Sequence, residues 1–137
     1  MPTLILTVGL PRSGKSTWAL QQGVPIVCPD SIRIALHGQA FVRESEPMVW
    51  VLAKYMVHAL FLSGHETVIL DATNLTEKFR KAWESPHWNT AYQLFRTPIS
   101  DCYERAKASH REDLIPVIWE MALQVEWPES SEATASA

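Results

Sequence analysis

An eight-residue segment near the N-terminus has the composition of a phosphate-binding loop: Gly9-Leu10-Pro11-Arg12-Ser13-Gly14-Lys15-Ser16. Glycines let the backbone wrap a phosphate with its N–H groups, the lysine reaches the β- and γ-phosphates, and the hydroxyl ligates Mg²⁺. An apolar run, residues 4–8, precedes the segment, and the helix-compatible residues 17–20 follow it. The motif therefore predicts a nucleoside triphosphate site with Mg²⁺ on Ser16, although a plain glycine turn between strand and helix is the alternative. We expect nucleotide contacts from Gly9, Pro11, Arg12, Ser13, Gly14, Lys15, Ser16 and Thr17.

A carboxylate and a cation follow the second apolar run, at Asp30 and Arg33. Ligands of open α/β sheets bind beyond the carboxyl ends of the strands, and residues three apart at a helix start share one face. Asp30 is therefore a candidate base and Arg33 a candidate clamp on the acceptor. The alternative is that Asp30 only caps the helix and Arg33 is a solvated surface charge.

The third apolar run ends in Leu70-Asp71-Ala72-Thr73-Asn74, which delivers another acid to the same edge of the sheet. Such an aspartate can hold Mg²⁺ through water or orient a neighbouring arginine. Asp71 and Asn74 could also simply form side-chain turns before the next helix.

Basic residues cluster between two helical segments over residues 101–113, and Arg105 and Arg111 are the candidates for function. Kinases often close a helical lid that brings an arginine onto the γ-phosphate. Arg111 is the candidate for that role, and Arg105 is a candidate nucleotide contact. Because both arginines alternate with acids, an ordinary salt-bridged surface is the alternative.

The elements that must position these residues alternate between strand and helix. Apolar runs at 4–8, 24–28, 67–70 and 91–95 predict strands, and the segments 16–22, 31–36, 47–63 and 76–85 predict helices, with further helices from Ser100 and Pro116. This alternation predicts an α/β fold with a parallel sheet covered on both sides. Trp18, Trp50 and Trp119 fall on apolar helix positions and are expected in the core, whereas Trp88 is left open as a base-stacking residue.

The composition describes one globular domain of 137 residues with 47% hydrophobic residues. We expect a kinase domain over residues 1–127 and a disordered tail over residues 128–137, where the sequence turns small, polar and acidic. No signal peptide or membrane span is apparent, so a cytoplasmic location and no membrane partner are expected. A net charge of −3 argues against wrapping long nucleic acid, so any nucleic-acid substrate must be held at an end.

Taken together, residues 6–19, Asp30-x-x-Arg33, Asp71-Ala72-Thr73-Asn74 and an arginine-bearing lid before Pro116 resemble the 5′-kinase domain of polynucleotide kinases from phage and bacterial end-healing enzymes. The resemblance runs from about Thr3 to Val125. It implies an adenylate-kinase-like three-layer fold with sheet order 2-3-1-4. It also implies Asp30 as general base, Arg33 as clamp on the terminal nucleotide's phosphate, Asp71 as the partner that orients Arg33, and Arg111 as the γ-phosphate clamp.

The function expected from the sequence is therefore ATP- and Mg²⁺-dependent phosphoryl transfer to an alcohol. Lys15, Asp30, Arg33, Asp71 and Arg111 are the expected catalytic residues, and the 5′-hydroxyl end of DNA or RNA is the first expected acceptor. The same scaffold occurs in kinases of small alcohols such as antibiotics and sugars, which is the second hypothesis. A nucleotide-binding module without an acceptor is the third, and the presence of Asp30 speaks against it.

Overall fold

A four-stranded parallel sheet forms the centre of the protein, seen in a computed structural model that describes residues 1–39 and 41–128. The strand order is β2-β3-β1-β4, which confirms the predicted α/β class and the order 2-3-1-4. β1 pairs along its whole length with β4 and over four residues with β3, while β2 adds two residues at the edge. The strands are β1 (Thr3–Gly9), β2 (Ile26–Val27), β3 (Thr67–Leu70) and β4 (Asn89–Phe95).

Six α-helices connect and cover these strands in the described part of the chain, with short 3₁₀ turns before the third and the sixth. Their bounds lie within a few residues of the predicted ones, except that the helix expected over 76–85 is only five residues long. The helices are α1 (Lys15–Gln21), α2 (Pro29–His37), α3 (Glu46–Leu62), α4 (Glu77–Lys81), α5 (Ile99–Ala108) and α6 (Ile115–Gln124).

Local chemistry accounts for the start and end of these helices. Pro29 opens α2 and Pro116 lies in the first turn of α6, where a missing backbone N–H costs nothing. The Thr76 hydroxyl accepts a hydrogen bond from the backbone N–H of Phe79 and so caps α4. Gly64, with φ of 100°, follows α3 in a left-handed conformation that glycine adopts without strain.

Two apolar clusters pack the sheet between its helices. The first joins the sheet to α3 through Val49, Ala53 and Val57, all fully buried. The second lies against α5 and α6 around Cys102, Ala106 and Ile118. Leu4, Leu6 and Val8 of β1 are also fully buried. Because β1 is both central and buried, the loop that follows it starts from a rigid strand.

One prediction about tryptophan was wrong, and the role of Trp88, which the sequence left open, is decided by its burial. Trp119 is 54% exposed, because α6 turns that side of the helix away from the cluster around Ile118. Trp88 is only 4% exposed, and its indole N–H donates to the Trp83 carbonyl at 2.9 Å, so it is a core residue that cannot stack on a base. Trp18 and Trp50 are partly buried, as edge-on ring contacts with Phe95 and Trp83 require.

The expected tail, apart from Pro128, lies outside the described residues. None of the helices within the described ranges combines the length and the apolar character that crossing a bilayer requires.

Candidate active site

The predicted phosphate loop joins β1 to α1, and close packing fixes its shape. A Cβ at Gly9 would lie 2.7 Å from the Ser13 hydroxyl and 2.9 Å from Phe95 Cβ, so only glycine fits there. Gly14 and Arg12 have φ of 104° and 65°, which turn the backbone back over the start of the helix. In the described part of the chain no side chain caps α1, so the N–H groups of its first turn remain available to phosphate oxygens.

Lys15 folds back across this loop. Its ammonium donates to the Leu10 carbonyl at 2.6 Å and to the Ser13 hydroxyl at 3.4 Å, and the residue is 8% exposed. Burial lowers the pKa of the ammonium to about 8, and the negative charge of Asp71 is the strongest opposing influence. The lysine is thus a poorly hydrated cation next to the loop, ready to exchange a backbone carbonyl for phosphate oxygens.

Ser16 meets Asp71 at the carboxyl ends of β1 and β3. The Ser16 hydroxyl donates to the Asp71 carboxylate at 2.7 Å, and Asp71 is 7% exposed. A hydroxyl and a carboxylate are hard oxygen donors, and Mg²⁺ in kinase sites uses one or two such groups together with substrate phosphates and water. The described residues include no group of three or more histidine, cysteine, aspartate or glutamate side chains that could hold a metal ion by themselves. The pair therefore fits Mg²⁺ bound mainly through a triphosphate.

A hydrogen-bond network in the β3–α4 loop holds Asp71 in place. The Thr7 hydroxyl donates to the Ala72 carbonyl at 2.8 Å, and the Asn74 amide donates to the Thr7 carbonyl at 2.8 Å. Arg80, 5% exposed, donates to the Asn74 carbonyl at 3.0 Å. Asn74 therefore does more than form a side-chain turn, because its amide also connects this loop to β1. Sequence reasoning missed Thr7 and Arg80.

Asp30, Arg33 and Glu46 form a second charged group beside the loop. Arg33 donates through Nε and Nη2 to both oxygens of Glu46, with the shortest contact at 2.6 Å, and through Nη1 to Asp30 at 2.6 Å. The hydrogen bond to Glu46 is the main cause of a raised pKa of the Arg33 guanidinium. Asp30 keeps 78% of its side chain exposed. The carboxylate is therefore accessible, and its neighbouring cation is held from two sides.

Glu46, which begins α3, was not found from the sequence. The resemblance assigned Asp71 as the residue that orients Arg33, whereas the structure gives Arg33 the carboxylates of Asp30 and Glu46 and places Asp71 against Ser16. Thirteen positions separate Arg33 from Glu46, and two helices must pack before the side chains meet. The only sequence feature that could have indicated Glu46 was its position as an acid in the first turn of α3.

The two lid arginines lie in different surroundings. Arg105 in α5 donates to the Arg12 carbonyl at 3.2 Å, which brings it onto the phosphate loop. Arg111 is paired with Asp113 at 3.0 Å, and this hydrogen bond is the main cause of its raised pKa.

Two cavities open next to these groups. The larger, about 590 Å³, lies between α1, α2 and α3 and reaches Ser16 and Asp71. The smaller, about 370 Å³, is bounded by Asp30 and Ile34. Ser31 and Ala35 line both, so the two cavities are neighbours along α2.

Comparison with solved structures places this geometry among P-loop kinases. One chain of the Pnkp1/Rnl/Hen1 complex is 25% identical and superposes with a TM-score of 0.67 over 76% of this chain and 38% of that chain. A chain of the Pnkp1/Rnl/Hen1 RNA repair complex superposes with a TM-score of 0.68 at 15% identity, over 95% of this chain and 50% of that one. The protein thus spans half or less of the length of these relatives.

Kinases of small molecules share the fold equally well. A gluconokinase from Sinorhizobium meliloti 1021 is 21% identical, with a TM-score of 0.61 over 98% of this chain and 81% of that chain. The Mycobacterium tuberculosis APS kinase CysC, solved with AMPPNP and APS, is 17% identical, with a TM-score of 0.66 over 98% and 88%. These likenesses support the resemblance to polynucleotide kinases and a kinase fold, and they leave the acceptor open. The AAA_33 family model, an AAA domain, matches residues 4–117, and the chain therefore belongs to this family of P-loop domains.

Proposed function

We propose that the protein transfers the γ-phosphoryl group of ATP to a hydroxyl acceptor, and that the 5′-hydroxyl end of a polynucleotide is that acceptor. The observation that carries the proposal is the exposed Asp30 carboxylate held 2.6 Å from Arg33 at the carboxyl end of β2. A module that only binds nucleotide needs no such base. The Asp30-x-x-Arg33 spacing and the partial likeness to the Pnkp1 chain support the polynucleotide end.

In the proposed reaction the acceptor oxygen forms a bond to the γ-phosphorus while the bond to the bridging oxygen breaks, and ADP leaves. Asp30 receives the hydroxyl proton and orients the attacking oxygen. Lys15 and the N–H groups at the start of α1 bind the phosphates, and Arg105 and Arg111 lie on the lid side. Ser16 and Asp71 would hold Mg²⁺, which supplies charge neutralisation on the β- and γ-oxygens.

A kinase of a small alcohol is the second candidate, and one observation favours it. Asp30, Arg33 and Glu46 together carry one positive and two negative charges, so the group has a formal charge of −1. A phosphate beside the reacting hydroxyl would meet that net negative charge. An uncharged alcohol would not.

Incubation with γ-labelled ATP and Mg²⁺ tests these proposals against a panel of 5′-hydroxyl oligonucleotides and small alcohols. The matched control is the same oligonucleotide with a 5′-phosphate, which has no hydroxyl to accept. Label transferred only to 5′-hydroxyl ends supports the polynucleotide proposal, and label transferred only to small alcohols supports the second candidate. Absence of label from every acceptor, with ATP bound, would contradict both.

Asp30→Asn tests the proposed base directly. Because asparagine keeps the shape of the side chain but cannot take a proton, turnover should fall by about 10²- to 10⁴-fold while ATP affinity changes little. Asp101→Asn is the matched control, since Asp101 is an exposed acid in the first turn of α5, as Asp30 is in α2. Near-normal turnover of Asp30→Asn would contradict the proposal that Asp30 is the base.

A further inference from the structure

The larger cavity is notable for the chemistry of its wall. Most of the wall is apolar and comes from Leu20, Ile26, Ile32, Leu52 and Met56. None of the described residues that line the cavity is basic. Its polar side chains are Ser16 and Asp71, beside the phosphate loop, and Cys28 and Ser31, near the start of α2. Such a wall stabilises an uncharged, apolar body and has no basic group for a phosphate and few polar groups for a sugar rich in hydroxyls.

The position of the cavity connects it to the transfer site. Ser16 and Asp71 link one end to the Mg²⁺ and phosphate region, and Ser31 and Ala35 link it to the smaller cavity beside Asp30. An acceptor held in the larger cavity would therefore lie next to the proposed phosphate site, with Asp30 on the neighbouring surface of α2. At about 590 Å³ the cavity lies in the size range of small-molecule sites, about 300–1,000 Å³.

Several apolar side chains that line the cavity are not buried by the rest of the protein. Leu20 is 76% exposed, Leu36 is 43% exposed and Met56 is 39% exposed in the free protein. They converge on one concave surface from three helices, unlike apolar residues scattered singly over a surface. A ligand seated there would remove these side chains from water.

We propose that this cavity binds an uncharged ring system attached to the acceptor alcohol. The inference rests on the proposed kinase function and names what the acceptor must carry. The base of a terminal nucleoside and the ring of a small alcohol share this chemistry, so the two sources are separated by experiment.

The probes are pairs of alcohols that differ only in the ring. One pair is a 5′-hydroxyl oligonucleotide with thymidine at its 5′ end and the same oligonucleotide with an abasic sugar there. The other is 3-phenylpropanol and 1-propanol. Binding is measured by saturation-transfer NMR in the presence of AMPPNP and Mg²⁺, and turnover is measured as ADP release from ATP.

The variant Met56→Ala removes apolar wall from the cavity, and Met48→Ala is its matched control. Both methionines are on α3 with similar exposure, 39% and 45%, but Met48 does not line the cavity. We expect Met56→Ala to raise the KM or Kd of the ring-bearing member of a pair by about 5- to 30-fold, as loss of a few buried methylenes predicts. The ringless member and ATP should change less than about twofold, and Met48→Ala should change none of them.

The outcomes separate the cavity from the reaction. Ring-dependent binding that is weakened by Met56→Ala supports the cavity even if no alcohol is phosphorylated, a result that would reject the proposed function alone. Phosphorylation of ringless and ring-bearing alcohols with equal KM overturns the cavity proposal and leaves the kinase. Failure of every ring-bearing probe to bind also overturns it, as does an equal effect of Met56→Ala and Met48→Ala. Ring dependence in only one pair identifies the source of the ring.

Discussion

Replacing Lys15 by methionine should stabilise the nucleotide-free fold at neutral pH while abolishing phosphoryl transfer. Burial lowers the pKa of the Lys15 ammonium from its ordinary value of 10.5 to about 8, which corresponds to about 3 kcal/mol of folding free energy lost at pH 7. Methionine is of similar length and has no charge to desolvate. The substitution also removes the 2.6 Å donor to the Leu10 carbonyl, at a cost of about 1–2 kcal/mol. The net gain in the free energy of unfolding should be about 1–2 kcal/mol.

The pH dependence of the folding stability tests the same prediction independently. Between about pH 8 and pH 10.5 the unfolded chain still binds a proton that the folded protein has released, so the wild-type stability rises with pH through that window. Below pH 8 the cost of burying the charge is present in full. The free-energy gap between Lys15→Met and wild type should therefore be widest below about pH 8 and narrow toward about pH 10.

Urea denaturation followed by far-UV circular dichroism, from about pH 7 to about pH 10 and without nucleotide, measures both effects. Lys78→Met provides the matched control, because Lys78 is an exposed lysine of α4. Transfer of label from ATP by the same protein samples checks the loss of activity. A Lys15→Met variant that is less stable than wild type at pH 7, or a gap that does not vary with pH, would refute the reasoning.

Two further predictions concern the groups beside Lys15. Ser16→Ala should lower turnover by about 10²-fold or more and weaken the Mg²⁺ dependence of ADP release, because it removes the proposed oxygen ligand of Mg²⁺ and no core packing. Ser63→Ala, at the exposed end of α3, is the control. Activity of Ser16→Ala within about tenfold of wild type would contradict the proposed position of Ser16 in the site. Arg33→Ala should raise the KM of the acceptor far more than that of ATP, and Glu46→Gln should do so to a smaller extent, since Glu46 accepts three of the arginine's hydrogen bonds. Equal loss of ATP and acceptor use in steady-state kinetics would count against a clamp on the acceptor.

How much could be predicted from the sequence depends on how far apart in the chain the interacting residues are. Glycine spacing between an apolar strand and a helix is local, so the loop from Gly9 to Ser16 was predictable at residue level. The resemblance supplied the strand order. The bond between Ser16 and Asp71 joins residues far apart in the chain, and the two were placed on the same sheet edge without being paired.

Contacts that depend on how the helices pack could not be predicted from the sequence. Glu46 reaches Arg33 only because α3 packs against α2, and no local pattern encodes that approach. Trp119 shows the same limit, since an apolar position on a helix reveals its burial only when the neighbouring elements are known.

The crowding around Gly9 has a kinetic consequence. A Cβ at Gly9 would clash with Ser13 and with Phe95, so the start of the phosphate loop lies directly against β4. By contrast, an exposed hydrogen bond from Arg105 to Arg12 ties α5 to the loop, and such a bond costs only about 1 kcal/mol to break. We therefore expect the backbone of the loop to keep its shape when a triphosphate binds, and the contact from α5 to open more easily.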